Sequence, residues 1–138
     1  MNFDKYLSDK KSIIDKALDD FLPSEESPPS IIHKAMRYSV FNGGKRLRPI
    51  LTLATAELLG KEIEMVLNLA CGIELIHTFS LIHDDLPCID NDDFRRGKPS
   101  NHKVFGENIA LLAGDALLVS GFELIVKNAE IKNIKKQS

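Results

Sequence analysis

Apolar residues recur at helical spacing through most of this 138-residue chain, and this pattern restricts the fold more than any other feature. No stretch shows the alternation of a half-buried strand, and no dipeptide typical of a hairpin turn is present between two such stretches. The pattern therefore predicts an all-α helical bundle in a single domain, residues 1–138. We expect five helices, over residues 2–22, 30–41, 49–59, 61–86 and 106–126.

Proline and glycine set the expected boundaries of these helices, at Pro23, Gly43, Gly44, Gly60 and Pro87. Ser30 is the expected N-cap of the second helix. The segments 49–59 and 61–86 are apolar on most sides, so we expect both helices to be buried. A loop is expected over residues 87–105, and residues 127–138 are polar and lack a helix cap.

Five of the ten residues from 84 to 93 are aspartates. Mutual repulsion raises the energy of each carboxylate in such a cluster, so the cluster is most stable where bound cations neutralise it. Ligands that are all oxygen indicate Mg²⁺ or Ca²⁺. For Asp90 to share a cation with Asp84, the chain has to turn back between them. Arg95 and Arg96 follow directly, and guanidinium groups suit a phosphate or diphosphate ester. A solvated acidic loop with a salt-bridged basic flank is the alternative.

Helix geometry predicts a polar face on the helix 61–86. His77 and Asp84 are seven residues apart, which is about two turns or 10 Å along the axis, and Ser80 lies between them. Asp85 neighbours the same face. His77 taken alone is more often a buried structural histidine than a functional one, but its alignment with Asp84 makes a functional role equally plausible.

A second candidate element is the glycine pair Gly43 and Gly44, followed by the cations Lys45, Arg46 and Arg48 just before a helix. Glycine lets the backbone approach an anion closely, and a helix N-terminus adds positive potential, so this element suits phosphate binding. Its spacing excludes a P-loop. A plain connection between helices with solvated cations is the alternative.

Two other metal-binding motifs compete for the acidic segment. An EF-hand starting at Asp90 is excluded, because its sixth position is an arginine and not the required glycine. A metal-dependent phosphohydrolase of the helical HD type would use His83 and Asp84, with His33 and His77 as its upstream histidines. That alternative leaves the arginine pair and the glycine-lysine element unexplained.

Composition and charge limit the possible partners and the location of this protein. The net charge of −2 gives no reason to expect nucleic-acid binding, and no stretch of about 20 apolar residues predicts a membrane span. Cys71 and Cys88 have no spacing typical of a metal or redox pair, which favours a reducing setting. This reducing setting predicts a cytoplasmic location, and residues 1–11 are mixed in charge and resemble neither a signal nor a transit peptide.

The segments 84–90 and 93–99, with 43–49 before them, resemble the first aspartate-rich motif and its surroundings in the trans-isoprenyl diphosphate synthases, the family of farnesyl and geranylgeranyl diphosphate synthases. The resemblance continues through 101–107 and 112–117 and covers most of the chain after residue 30. A two-residue insertion in the motif is similar to bacterial farnesyl and to bacterial or plastid geranylgeranyl synthases. The resemblance implies the first half of the isoprenoid synthase fold.

This resemblance also implies an activity and roles for residues. A prenyltransferase of this family condenses isopentenyl diphosphate with an allylic diphosphate, dimethylallyl or geranyl, with Mg²⁺ (or Mn²⁺) as cofactor. Asp84 and Asp90 would ligate the metal, with Asp85 a further ligand or a partner of the ligands, and Arg95 would bind the allylic diphosphate. Isopentenyl diphosphate would be bound by Lys45, Arg48, His77 and Arg96.

Product length in such enzymes depends on bulk beneath the first aspartate. Phe79 lies five residues before Asp84, about 7.5 Å down the helix, and Ser80 is next to it. An aromatic floor at this depth predicts a fifteen-carbon product, farnesyl diphosphate, with geranylgeranyl diphosphate second. The alternative is that Phe79 faces a neighbouring helix as an ordinary core residue.

Members of this family are longer than this chain and carry a second aspartate-rich motif, which is absent here. We therefore expect the chain to be the first half of the fold, to form a homodimer when complete, and to show negligible turnover alone. The apolar faces of helices 61–86 and 107–126 would then be exposed. A non-catalytic partner subunit of a full-length synthase is the alternative, which the intact aspartates argue against.

Overall fold

The computed structural model describes residues 2–137, with side chains described through residue 130. Within these residues the fold is all-α, as the apolar periodicity predicts. The helices α1 to α6 span Phe3–Phe21, Ser30–Val40, Leu47–Leu58, Leu67–Asp84, Asn101–Phe105 and Glu107–Gln137. A short 3₁₀ helix covers Ile63–Met65, and the two-residue strands β1 (Phe94–Arg95) and β2 (Lys98–Pro99) pair antiparallel.

The chain divides into two compact units, of which the first comprises Met1–Phe21, Lys45–Glu74 and Ser120–Ser138. Here α1 packs on α3, and Glu57 of α3 accepts hydrogen bonds from Tyr6 and Lys10 of α1. The hydrogen bond to Glu57 raises the pKa of the Tyr6 hydroxyl to about 12. The buried apolar residues of this unit include Ile14, Leu18, Ile50, Leu53, Ala70, Cys71 and Leu124.

The second unit comprises Leu22–Gly44 and Leu75–Val119. In this unit α2 packs on α5, and the buried side chain of Asn101 joins the two helices by donating to the Ala35 carbonyl at 2.8 Å and to Ser39 Oγ at 2.7 Å. The buried apolar residues of this unit include Leu22, Met36, Val40, Leu75, Ile82, Leu86, Ala110, Ala113 and Leu117.

The predicted N-cap of the second helix and the predicted start of the fourth helix are wrong. Ser30 is the first helical residue and not the N-cap, because Pro29 takes the extended N-cap conformation, and no side-chain cap is present. The predicted helix 61–86 begins only at Leu67, after Gly60 adopts a φ of +65° and Glu62 is extended. Both corrections reflect backbone conformations that the side-chain pattern does not report.

The hairpin and α5 lie inside the predicted loop 87–105, and neither was predicted. Between the strands, Arg96 and Gly97 have φ values of 52° and 77°. Positive φ at both central residues is typical of a type I′ turn. The sequence lacks the usual signal for this turn, because its first central residue is an arginine where asparagine, aspartate or glycine is expected.

The last helix was predicted to end at residue 126, but α6 continues to Gln137. Tertiary contacts within the first unit accompany this extension. Asn128 is buried, and its Oδ1 accepts a hydrogen bond from the Leu69 amide at the start of α4. Lys127 lies over the ring of Phe21, 5.2 Å from its centroid. Polar residues can thus extend a helix when another element supplies their partners.

Apolar exposure differs between helices. The predicted burial of helix 49–59 is wrong for part of it, since α3 buries only one stripe and leaves Leu51 and Leu58 66% and 86% exposed. Exposure of the 107–126 face is confirmed, by the large apolar side chains Leu111, Leu112, Val119, Phe122 and Val126. The same exposure was predicted for helix 61–86, and that prediction is wrong, because the large apolar side chains of α4 are buried or half-buried.

One helix among the described residues, Glu107–Glu130, is long and apolar enough to cross a membrane by length and composition alone. The sequence pattern predicts no stretch of this length and apolarity, and this helix corrects that prediction. The same property is found in core helices of soluble proteins, so it is weak evidence for a membrane span.

Candidate active site

The chain turns back after α4 and brings Asp90 against Asp84. The Asp90 amide donates to the Asp84 carbonyl at 2.8 Å, and the Asp92 amide donates to the Asp85 carbonyl at 3.1 Å. Asn91 supports the turn with a φ of 53°, a conformation that asparagine adopts more readily than most residues. The turn that a cation shared by Asp84 and Asp90 requires is therefore present in the backbone.

The aspartates of this segment differ in exposure. Asp84 and Asp90 are exposed, whereas Asp85 is only 2% exposed. The Asp85 carboxylate accepts two hydrogen bonds from Arg95, from Nε and Nη2, each at 2.7 Å. The hydrogen bonds to Asp85 raise the pKa of the Arg95 guanidinium further. Asp85 therefore orients Arg95 in this structure, whereas the carboxylates of Asp84 and Asp90 are exposed.

The donor set of this segment fits Mg²⁺. The described residues contain no group of three or more histidine, cysteine, aspartate or glutamate side chains that could hold a metal ion. Mg²⁺ does not need such a group, because it commonly binds one or two carboxylates and completes its shell with water and substrate phosphates. Asp84 and Asp90 are exposed and joined through their backbones, so they are the two carboxylates that would fill this role.

The glycine pair receives an arginine side chain. Arg96 Nη1 donates to the Gly43 carbonyl at 2.7 Å. A Cβ on Gly44 would lie 2.8 Å from the Arg96 guanidinium, and both glycines have positive φ, +86° and +111°. Asn42 adds a hydrogen bond from Nδ2 to the Arg95 carbonyl at 3.3 Å. The turn 42–44 is thus fastened to the hairpin that carries both predicted diphosphate-binding arginines.

Polar residues that the sequence pattern did not single out support this hairpin, and of these Ser100, Asn42 and Asn101 are buried. Tyr38 donates from its hydroxyl to the Pro99 carbonyl at 2.7 Å, and Ser100 donates from Oγ to the Asp92 carbonyl at 2.7 Å. Asn42 and Asn101 line a small cavity together with Asp85, and neither Oδ1 atom has a hydrogen-bond partner among the described residues. No local sequence signal identifies these residues, apart from their positions next to the two recognised motifs.

The other predicted site residues lie just before α3, in its first turn and on α4. Lys45 and Arg48 are exposed residues of the first unit. His77 is half-buried on α4, in the second unit, and its carbonyl accepts a hydrogen bond from Ser80 Oγ at 2.7 Å. Ser80 is thus bound to its own helix. The structure describes these side chains without a ligand, so their binding roles stay predictions.

Phe79 and His83 form an aromatic pair on α4. Their ring centroids lie 4.6 Å apart in an edge-on arrangement. His83 Nε2 lies 3.0 Å from the Leu111 carbonyl of α6, which ties the imidazole to that helix. His33 contacts the Ser27 carbonyl instead. The histidines of the HD alternative therefore have separate structural partners and form no metal cluster among the described residues.

Comparison with known proteins agrees with this geometry. The polyprenyl synthetase family model matches residues 29–137. The chain is 57% identical over 122 residues to the heterodimeric geranylgeranyl pyrophosphate synthase large subunit 1, chloroplastic, of Arabidopsis thaliana, covering 88% of this chain and 32% of that protein. It is 51% identical over 127 residues to the farnesyl diphosphate synthase of Geobacillus stearothermophilus, covering 92% and 42%.

A solved structure shares the fold. The crystal structure of geranyltranstransferase from Thermotoga maritima matches with a TM-score of 0.83 and 48% identity, over 91% of this chain and 47% of that one. This chain spans about a third of the length of the first curated relatives it matches. Because the family match covers most of the chain and includes the aspartate loop, the arginine hairpin and the glycine turn, the chain belongs to the polyprenyl synthetase family.

Proposed function

We propose that this chain carries the first aspartate-rich half of the active site of a short-chain trans-prenyltransferase. The proposed reaction condenses isopentenyl diphosphate with dimethylallyl or geranyl diphosphate. The observation that carries the proposal is the turn that joins Asp90 to Asp84 beside the Asp85–Arg95 pair. Two exposed carboxylates next to an oriented guanidinium suit a metal-bound diphosphate better than they suit any neutral substrate.

The residues of the acidic segment have distinct proposed tasks. Asp84 and Asp90 hold Mg²⁺ (or Mn²⁺), which when bound neutralises negative charge that develops on the departing diphosphate. Arg95 offers Nη1 to the same diphosphate, because Asp85 already accepts from Nε and Nη2. Asp85 thereby fixes the direction of the guanidinium without contacting the substrate itself.

A second set of cations is proposed for isopentenyl diphosphate: Lys45, Arg48, His77 and Arg96. Arg96 is supported by its fixed position over the glycine turn, and Lys45 and Arg48 by their exposure beside the N-terminus of α3. Separate cation sets for the two diphosphates are needed because both substrates have to be bound at once for one to attack the other.

We propose farnesyl diphosphate as the product, with geranylgeranyl diphosphate as the alternative. The half-buried ring of Phe79 near the C-terminal end of α4 supports the shorter product. The names of the relatives include both geranylgeranyl and farnesyl synthases, so they do not choose between the two. A homodimer and a cytoplasmic location are likewise proposals, since one relative is named as a heterodimer subunit and as chloroplastic.

The decisive experiment is an elongation assay on the purified protein that carries these residues. It is incubated with radiolabelled isopentenyl diphosphate and an allylic diphosphate, with Mg²⁺ or with EDTA, and the products are identified by chromatography. Mg²⁺-dependent chain growth supports the proposal. Phosphate release without chain growth contradicts it in favour of a phosphohydrolase, and no reaction contradicts it in favour of a non-catalytic partner.

A further inference from the structure

Three cations follow the glycine pair, and the structure gives them different environments. Lys45 and Arg48 are exposed, whereas Arg46 between them is 3% exposed. A buried guanidinium cannot reach a substrate that the exposed side chains on either side of it would bind. Arg46 therefore needs an explanation other than direct contact with the diphosphate.

Arg46 connects two other helices through ion pairs. Its Nε donates to Asp15 Oδ1 of α1 at 2.7 Å, and its Nη1 donates to Glu74 Oε1 of α4 at 3.0 Å. The Glu74 side chain is 3% exposed. Partial burial acts to raise the pKa of Asp15, but hydrogen bonds from Lys11 and Arg46 lower that pKa below its ordinary value. All of these residues belong to the first unit.

The backbone of Arg46 has a strained conformation, and the ion pairs of its side chain hold it in place. Arg46 has φ 55° and ψ 32°, in the left-handed region that residues other than glycine seldom occupy. Its carbonyl accepts the Ile50 amide at 3.0 Å, at the start of α3. Such conformations persist where the surrounding structure fixes them, as at binding sites. Here the fixed residue lies directly between Lys45 and the first turn of α3.

We propose that Arg46 is a positioning residue, which locks the turn before α3 onto α1 and α4 so that Lys45 and Arg48 project toward the isopentenyl diphosphate. This inference rests on the proposed function. It gives α1, which lies outside the residues that the family model matches, a part in substrate binding through Asp15. Guanidinium suits this role better than ammonium, because its planar fork can donate to two carboxylates at once.

The test separates positioning from stability. Arg46→Met alone removes the Arg46 ion pair from the buried Glu74 carboxylate and should lower the melting temperature. The double variant Arg46→Met/Glu74→Met replaces the buried pair with apolar side chains, and such replacements commonly restore stability. Asp15 keeps Lys11 as its partner at 2.6 Å in both variants. The readouts are the melting temperature, KM for isopentenyl diphosphate and kcat, measured on the protein that carries these residues.

We expect the double variant to recover the melting temperature while KM for isopentenyl diphosphate stays raised, by about tenfold or more, with a smaller change in kcat. Recovery of both the melting temperature and KM would overturn the inference. Asp15→Asn offers a milder variant, with a smaller rise in KM and little change in melting temperature. Its matched control is Asp20→Asn on the same helix, where Asp20 pairs with Lys16 and should leave KM unchanged.

Lys45→Ala distinguishes failure of this inference from failure of the proposed function. Suppose that Lys45→Ala raises KM for isopentenyl diphosphate, whereas neither the Arg46 variants nor Asp15→Asn raise it. In that case the inference is wrong and the proposed function stands. If Lys45→Ala leaves KM unchanged, the proposed binding role of this turn is wrong, and the positioning role fails with it. Should both Arg46 variants fail to fold, an unchanged KM in Asp15→Asn overturns the inference and a raised KM supports it.

Discussion

At the scale of single residues, exposure separates side chains that look equivalent in the sequence. Asp84, Asp85 and Asp90 are all aspartates of one motif, yet only Asp85 is buried, and it is bound by Arg95 through two hydrogen bonds. The buried Asp85 carboxylate orients the Arg95 guanidinium, and the exposed Asp84 and Asp90 are the proposed metal ligands. The cations after the glycine pair divide in the same way, with Arg46 buried between Lys45 and Arg48.

Asp84→Ala is expected to lower Mg²⁺-dependent elongation by about a thousandfold, because it removes one of two proposed carboxylate ligands. Folding should be preserved, since Asp84 is exposed at the end of α4 and alanine favours a helix more than aspartate does. Steady-state kinetics and circular dichroism measure the two effects. Asp92→Ala, another exposed aspartate of the same loop, is the control, and retained activity in Asp84→Ala would contradict the metal assignment.

Phe79→Ala is expected to lengthen the product by at least one isoprene unit, because the half-buried ring is the proposed floor of the pocket. Mass spectrometry of the products measures the change. Phe94→Ala serves as the control, since Phe94 is a largely exposed aromatic residue in the hairpin. An unchanged product in Phe79→Ala would assign Phe79 to ordinary packing against His83.

The two cysteines should differ in reactivity. Burial raises the pKa of the Cys71 thiol to about 12, whereas Cys88 is exposed in the aspartate loop. Because the thiolate is the reactive form, Cys71 should stay unmodified at pH 8 while Cys88 reacts with a thiol reagent. Peptide mass spectrometry before and after denaturation locates the modification. Modification of Cys71 in the folded protein would contradict its burial.

At the scale of elements, the glycine turn and the arginine hairpin act as a pair. Gly44→Ala should cost about 1–3 kcal/mol of stability because of the positive φ at this position. The new Cβ would also displace the Arg96 guanidinium, which has a flexible side chain and can move. We therefore expect KM for isopentenyl diphosphate to rise, as we also expect for Arg96→Ala. Urea denaturation and steady-state kinetics measure the two effects.

The matched control for this substitution is Gly60→Ala. Gly60 also has positive φ, but a Cβ there would meet nothing within 4 Å. It should reproduce the stability loss and leave KM unchanged. A KM in Gly44→Ala that stays at the wild-type value would show that Arg96 does not need its place over the glycine turn.

At the scale of the whole chain, large apolar side chains on α3 and α6 are exposed, Leu58 and Phe122 among them. Residues 1–138 expressed alone are therefore expected to self-associate. They are also expected to show no measurable elongation, because they contain only one aspartate-rich segment. Analytical ultracentrifugation measures association, and Phe122→Lys should reduce it more than Phe3→Lys, which changes an exposed residue of α1. A monomer at tens of micromolar, or elongation by these residues alone, would contradict the respective expectation.

The sequence by itself determined the all-α class and the approximate positions of the long helices, because helical periodicity acts over a few neighbouring positions. The return of Asp90 to Asp84 was only a requirement at that level, and the backbone of the structure decided it. Only the tertiary structure decided which charged residues are buried. The partners of Arg46 lie 31 and 28 residues away along the chain, and the continuation of α6 past residue 126 is accompanied by a contact with Leu69. Burial and pairing depend on segments distant in the chain, which no local pattern reports.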